Sequence, residues 1–143
     1  MRLKNTFPVQ FAGIKDSSND RSFSESLGQK FGRDLLVLNG TDSDFRYALK
    51  NQAQGAITAS ANLISENLRE IWDLFNEGKD PSEIQKRVTE QRQILEKYPP
   101  LPPTIKTLLH YFHNLPRWAV RPPLEAMDDK TLQDVAKEFS KTL

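Results

Sequence analysis

The chain has 143 residues, with 20 Lys plus Arg against 19 Asp plus Glu, a formal charge of +1, 37% hydrophobic residues and no Cys. Without Cys there is no disulfide scaffold, zinc ribbon, Fe–S centre or thiol nucleophile. The near-balanced charge argues against a strongly basic nucleic-acid binder, and no apolar run approaches the roughly 20 residues of a membrane span.

Met1-Arg2-Leu3-Lys4-Asn5 opens the chain without the apolar stretch of a secretory signal, so a cytoplasmic chain without a membrane partner is expected. Three short apolar runs then read as strands: Val9–Ile14, Asp34–Gly40 and Gly55–Ala61. Each is nearly continuously apolar or small, which suits strands covered on both faces. Between them, Ser22–Phe31 carries Phe23, Leu27 and Phe31 at steps of four, and Asp42–Asn51 carries Phe45, Ala48 and Leu49. Strand–helix alternation at this spacing indicates parallel βα units.

After Ala61 no strand is expected. Ile64–Gly78 is a predicted helix with Leu68, Ile71, Trp72 and Phe75 on one face and Gly78 placed as its cap. A second runs from Pro81 to about Tyr98, with Ile84, Val88, Gln91 and Leu95 in phase, and the prolines from Pro99 to Pro103 break it. Thr104–Leu115 and Asp128–Thr142 complete the helices, the last with Leu132, Val135, Ala136 and Phe139 as its apolar face. The expected division is 1–78 for three βα units and 79–143 for a helical extension.

Lys15 stands out, because it ends the first apolar run. The carboxyl end of a parallel strand is where open α/β sheets and βα barrels hold their chemistry. Partial desolvation there disfavours an ammonium, and a neutral amine can add to a carbonyl to form a Schiff base. Gly13 has the same strand parity and would leave space beside the side chain. A strand-terminal Lys also commonly emerges into solvent, and position alone leaves both readings open.

Phe11-Ala12-Gly13-Ile14-Lys15-Asp16-Ser17-Ser18-Asn19-Asp20 resembles the Schiff-base lysine segment of the dihydrodipicolinate synthase/N-acetylneuraminate lyase family. Leu38-Asn39-Gly40-Thr41-Asp42 is similar to that family's turn after barrel strand seven, and Gly55 to Asn62 to its strand eight and following loop. Ile105-Lys106 and Val120-Arg121-Pro122-Pro123-Leu124 resemble its C-terminal helical extension. The resemblance implies an α/β fold: part of a (β/α)8 TIM barrel, equivalent to strands six to eight, followed by helices. It implies a class I aldolase or lyase that needs neither metal nor cofactor. Lys15 would condense with pyruvate or another 2-keto acid, Ile57 would lie beside the substrate with its backbone carbonyl facing the site, and Gly40 would lie near the bound keto acid. Lys15-Asp16-Ser17-Ser18 looks closer to the 2-keto-3-deoxy-sugar-acid and 4-hydroxy-2-oxoglutarate aldolase branches than to synthases with Glu-Ala-Thr after the lysine. Family members are commonly tetramers, so a homo-oligomer is expected.

The lysine strand is the sixth of the family barrel, yet only eight residues precede Val9. A barrel of this kind takes about 250 residues. No Gly/Thr-rich carboxylate-binding loop is present, and Tyr47, Tyr98 and Tyr111 all fall in predicted helices. The expectation is therefore a truncated aldolase, inactive by itself. The alternative is a non-catalytic remnant that keeps only packing and association elements. His110 and His113, three apart on one helix, read as a surface or packing pair rather than metal ligands, and Gly28, Gly32 and Gly40 form no phosphate-binding loop.

Overall fold

The computed structural model describes residues 2–143. A short helix, α1 (Arg2–Thr6), leads to β1 (Gly13–Asp16); α2 (Arg21–Phe31), β2 (Leu36–Asn39), α3 (Phe45–Lys50) and β3 (Gly55–Ala56) follow. The three strands form one parallel sheet in the order β1-β2-β3. Four further helices complete the chain: α4 (Ala61–Asn76), α5 (Ser82–Glu96), α6 (Leu101–His113) and α7 (Asp129–Phe139). Among the described residues, no helix is long and apolar enough to cross a membrane.

The α/β class and the βα rhythm agree with the sequence, while several boundaries move. The first strand begins at Gly13 rather than Val9: Phe7 and Phe11 amides donate back to Leu3 and Phe7 carbonyls in helical turns, and Val9 is 86% exposed. Lys15 consequently lies inside the strand, with Asp16 as its last residue. The second strand is trimmed to Leu36–Asn39, and the third keeps only two of its expected seven residues. Beyond Ala56, Thr58 Oγ1 accepts the Ala61 amide at 3.3 Å and the chain turns into α4. Hydroxyl side chains that bond nearby backbone favour such turns over a continuing ladder.

Helix ends follow their capping chemistry. Asp20 accepts from the Ser22 and Phe23 amides at the start of α2, and Asp128 from the Thr131 amide at the start of α7. Gly78 takes φ +74° just past α4, where the Gly78 and Lys79 amides donate to Phe75 and Leu74 carbonyls. Helix α6 starts at Leu101, three residues before the expected Thr104. Pro102 and Pro103 sit in its first turn, where a helix needs no N–H from them. Only Pro99-Pro100 interrupts.

One apolar core joins the βα units to the later helices. Phe45, Leu49, Ile64, Leu68 and Ile71 pack with Val88, Leu95, Leu108, Leu132, Val135, Ala136 and Phe139. On α7 the buried positions recur at i, i+3, i+4 and i+7, the single stripe of an amphipathic helix. Gln91 is fully buried within this layer because both ends of its amide are used: it accepts from Asn67 Nδ2 at 3.0 Å and donates to the Thr142 carbonyl at 3.2 Å. The helical layer thus anchors the sheet from one side.

Candidate functional site

Parallel register fixes which side chains share a face. Gly13, Ile14, Lys15 and Asp16 pair with Leu36, Val37, Leu38 and Asn39, and Leu38 and Asn39 pair in turn with Gly55 and Ala56. Side chains alternate along a strand, so Gly13, Lys15, Leu36, Leu38 and Gly55 occupy one face and Ile14, Asp16, Val37, Asn39 and Ala56 the other. The second face is covered, with Asp16, Val37 and Asn39 all buried. The first is open: Leu36 is 51% exposed and Lys15 is also exposed.

Lys15 therefore stands on the open face near the carboxyl end of β1, in one row with Leu38 and Gly55. Along its own strand its neighbour on this face is Gly13, and across the ladder it is Leu38. The glycine at position 13 has a second cause, since a Cβ there would meet the Leu36 carbonyl oxygen at 2.5 Å and the Leu36 Cβ at 2.8 Å. Close approach of β2 requires it. The sheet has helices over one face only, and the lysine is on the other.

Gly40 and Ile57 sit at the same carboxyl rim, each directly after its strand. Ile57 is 50% exposed, and its amide donates to the Asn39 carbonyl at 2.8 Å. A Cβ on Gly40 would collide with Ser17 Oγ and stand 2.5 Å from the Asp16 carbonyl oxygen. The bare glycine lets the turn after β2 lie against the turn that follows Lys15, so the structure joins Gly40 to the lysine segment through packing. The three residues singled out from the sequence thus lie along one rim.

That rim is held by polar residues that sequence reasoning passed over. Asp16 Oδ1 accepts the Ser18 amide at 2.9 Å, and Asp16 Oδ2 accepts the Ser24 hydroxyl of α2. Burial opposes ionisation of this carboxyl, but the bonds from Ser24 and Ser18 outweigh it and hold the group below its ordinary value. Asn39 Oδ1 accepts the Thr41 amide at 2.8 Å, Thr41 Oγ1 donates to Asn19 Oδ1 at 2.5 Å, and Arg21 reaches Asp44 at 2.6 Å. The signal was available: Asp16-x-Ser18 and Asn39-x-Thr41 are Asx-turn patterns. They gain meaning only once strand parity places both acidic or amide side chains on the covered face.

Elsewhere, His110 Nδ1 lies 2.7 Å from the Leu115 carbonyl oxygen, which uses that nitrogen in closing the end of α6. Among the described residues, no three His, Asp or Glu side chains gather as a metal centre would.

A model of the dihydrodipicolinate synthetase family matches residues 2–142. A protein of Chloroflexus aurantiacus, described as an uncharacterized DapA-like lyase, is 29% identical over 135 residues, which cover 94% of this chain and 44% of that one. The crystal structure of dihydrodipicolinate synthase from Agrobacterium tumefaciens matches with TM-score 0.82 and 30% identity, over 99% of this chain and 47% of that one. The fold is also shared by YagE of E. coli K12, solved in complex with pyruvate, with TM-score 0.87 and 18% identity over 99% of this chain and 49% of that one. The chain thus spans just under half the length of these relatives.

Proposed function

Because the chain belongs to the dihydrodipicolinate synthetase family and carries the C-terminal portion of it, we propose that it holds the amine-bearing part of a class I lyase acting on pyruvate and related 2-keto acids. The observation that carries this reading is the place of Lys15: the open face of a parallel sheet, near the carboxyl end of its strand, beside Leu38 and one strand removed from Gly55. In this reading the neutral Lys15 Nζ adds to the keto carbon, forming a C–N bond while the carbonyl electron pair goes to oxygen. Protonation of that oxygen and loss of water give the iminium. The iminium then draws electrons from the adjacent carbon, which allows a C–C bond there to form or break.

Gly40 keeps the rim low beside the bound keto acid, and Ile57 offers apolar contact and a backbone carbonyl at the opposite end of the sheet. The finer substrate class in this proposal is a 2-keto-3-deoxy-sugar acid or 4-hydroxy-2-oxoglutarate, supported by the Lys15-Asp16-Ser17-Ser18 run. Turnover also needs groups that position the carboxylate and relay protons, and these residues alone are expected to trap keto acid without sustained cleavage.

A second reading, a non-catalytic association module, draws support from the exposure of Lys15 and from an apolar core supplied mainly by the helices. Borohydride reduction in the presence of pyruvate separates the two. A reduced adduct confined to Lys15 by peptide mass spectrometry, and lost in Lys15→Arg, is expected for the lyase. Labelling spread over the exposed lysines, or none, would leave the association module.

A further inference from the structure

Two turns frame the carboxyl rim beside Lys15, and they are anchored unequally. The turn after β2 is fixed from behind by α5. Asp42 is completely buried, with Arg92 Nη1 3.2 Å from its Oδ2. Gln85 donates to the Asp42 carbonyl at 3.0 Å and accepts the Arg46 amide at 2.7 Å. One residue earlier, Thr41 gives its amide to the buried Asn39 side chain at 2.8 Å. Buried groups therefore set both ends of this turn. The turn after β1, residues 17–20, is exposed throughout. Asp16 ties its start to α2, and Asp20 ends it by capping that helix. Between them Asn19 takes φ 57°, a left-handed backbone that costs most residues energy and that asparagine tolerates.

A side-chain bond joins the two turns: Thr41 Oγ1 donates to Asn19 Oδ1 at 2.5 Å. We infer that Thr41 and Asn19 are positioning residues for the reaction at Lys15, Thr41 as the fixed member and Asn19 as the member that is held. Their bond keeps the exposed turn seated against Gly40, whose bare backbone lies on Ser17 and on the Asp16 carbonyl. The role needs no contact with the keto acid. It lies in keeping in place the wall that the keto acid meets beside the amine. Without the bond the turn populates other positions, and capture of substrate must first restore the competent one, which lowers apparent affinity. Neither residue is charged, so the ionisation of the amine is left as it was. The inference rests on the lyase reading, because without a keto acid at Lys15 there is nothing to position.

Two variants remove the bond from its two ends. Thr41 is extended, at φ −125° and ψ 110°, which valine adopts readily, so Thr41→Val deletes the hydroxyl with little change of shape. Asn19→Gly deletes the acceptor and keeps the left-handed angle. The readout is the borohydride-reduced pyruvate adduct on Lys15 of the full chain, followed against pyruvate concentration and pH. Each variant should raise the half-saturating pyruvate concentration by about fivefold, the scale of one lost neutral hydrogen bond. The pH midpoint of labelling should not move. The double variant should be no worse than either single one, since both remove the same bond. Thr41→Ser keeps the hydroxyl and should restore the wild-type value. A merely structural role would act otherwise: a smaller folded fraction lowers the amount of adduct and leaves half-saturation unchanged. That result, or additive effects in the double variant, overturns the inference while the lyase reading stands. Absence of a Lys15 adduct in the wild-type chain rejects the lyase reading, and the positioning role falls with it.

Discussion

Asp16 and Asn39 are register partners on neighbouring parallel strands, and each closes the turn after its strand in the same way, by accepting the amide two residues on. The paired turns set the height of the carboxyl rim on which Lys15, Gly40 and Ile57 stand. For Asp16 the bond from Ser24 adds a tie to α2, and the carboxyl is held below its ordinary value. A depressed folded-state value means that ionisation favours the folded chain. The contribution is complete above the unfolded value of about 3.9 and is lost as pH falls through the lower folded one. Ser24→Ala should move the Asp16 carboxyl titration upward by NMR, and Asp16→Asn should flatten the fall in stability below about pH 4.

Gly40→Ala tests the second element of that rim. The new methyl group would meet the Asp16 carbonyl oxygen at 2.5 Å, and backbone cannot swing aside as a side chain does. Overpacking of this kind costs about 1–3 kcal/mol. The midpoint of urea unfolding should fall accordingly with an unchanged slope, and the Lys15 amide resonance should shift, because the displaced turn is the one that follows β1. Gly78→Ala is the contrast. Nothing lies within 4 Å of its added Cβ, and the cost there comes only from φ +74°.

What the sequence made legible divides along the same physical lines. The stripe Leu132, Val135, Ala136 and Phe139 reads correctly because one face of α7 meets the core and the other meets water. The Gly78 cap reads correctly because few residues accept its backbone angle. The first strand does not: Val9 and Phe11 are as apolar as Ile14, and the choice between them is made by where Leu36–Asn39 lies, a long-range fact. Small residues misled at Gly55–Ala61, where Thr58 turns the chain after two ladder residues. The place of Lys15 is legible to within one residue: the apolar run ends before it, and the ladder runs one residue past it, to Asp16. The burial of Asp16 is not, since it depends on a parity that shifts with the strand boundary.

Arg92 ties α5 to the turn that follows β2. Its Nη1 lies 3.2 Å from Asp42 Oδ2, and the Asp42 side chain is completely buried just beyond β2. Gln85 reinforces the contact by donating to the Asp42 carbonyl at 3.0 Å and accepting the Arg46 amide at 2.7 Å. Removing one partner of a buried pair leaves an uncompensated charge and costs about 3–5 kcal/mol. Arg92→Leu should therefore unfold the chain at markedly lower urea. Adding Asp42→Asn to that variant should recover part of the loss, a coupling that a double-mutant cycle would read directly.

Tyr98 and Glu138 offer a spectroscopic reading of the α5–α7 contact. The phenol donates to Glu138 Oε1 at 2.8 Å, while Lys97 meets the other carboxylate oxygen at 2.7 Å. The hydrogen bond to Glu138, then burial, then the nearby negative charge push the Tyr98 phenol up to about 12. Glu138 is held below its ordinary value, first by Lys97 and then by Tyr98. A phenol raised in the folded chain stabilises it fully below the unfolded value of about 10, and that share is lost as pH climbs through the folded one. Absorbance titration of the tyrosines should show a late component near pH 12 that disappears in Tyr98→Phe. In Glu138→Gln the same component should move down toward the ordinary tyrosine range. A late component unchanged by Glu138→Gln would mean that the contact does not hold the two helices in solution.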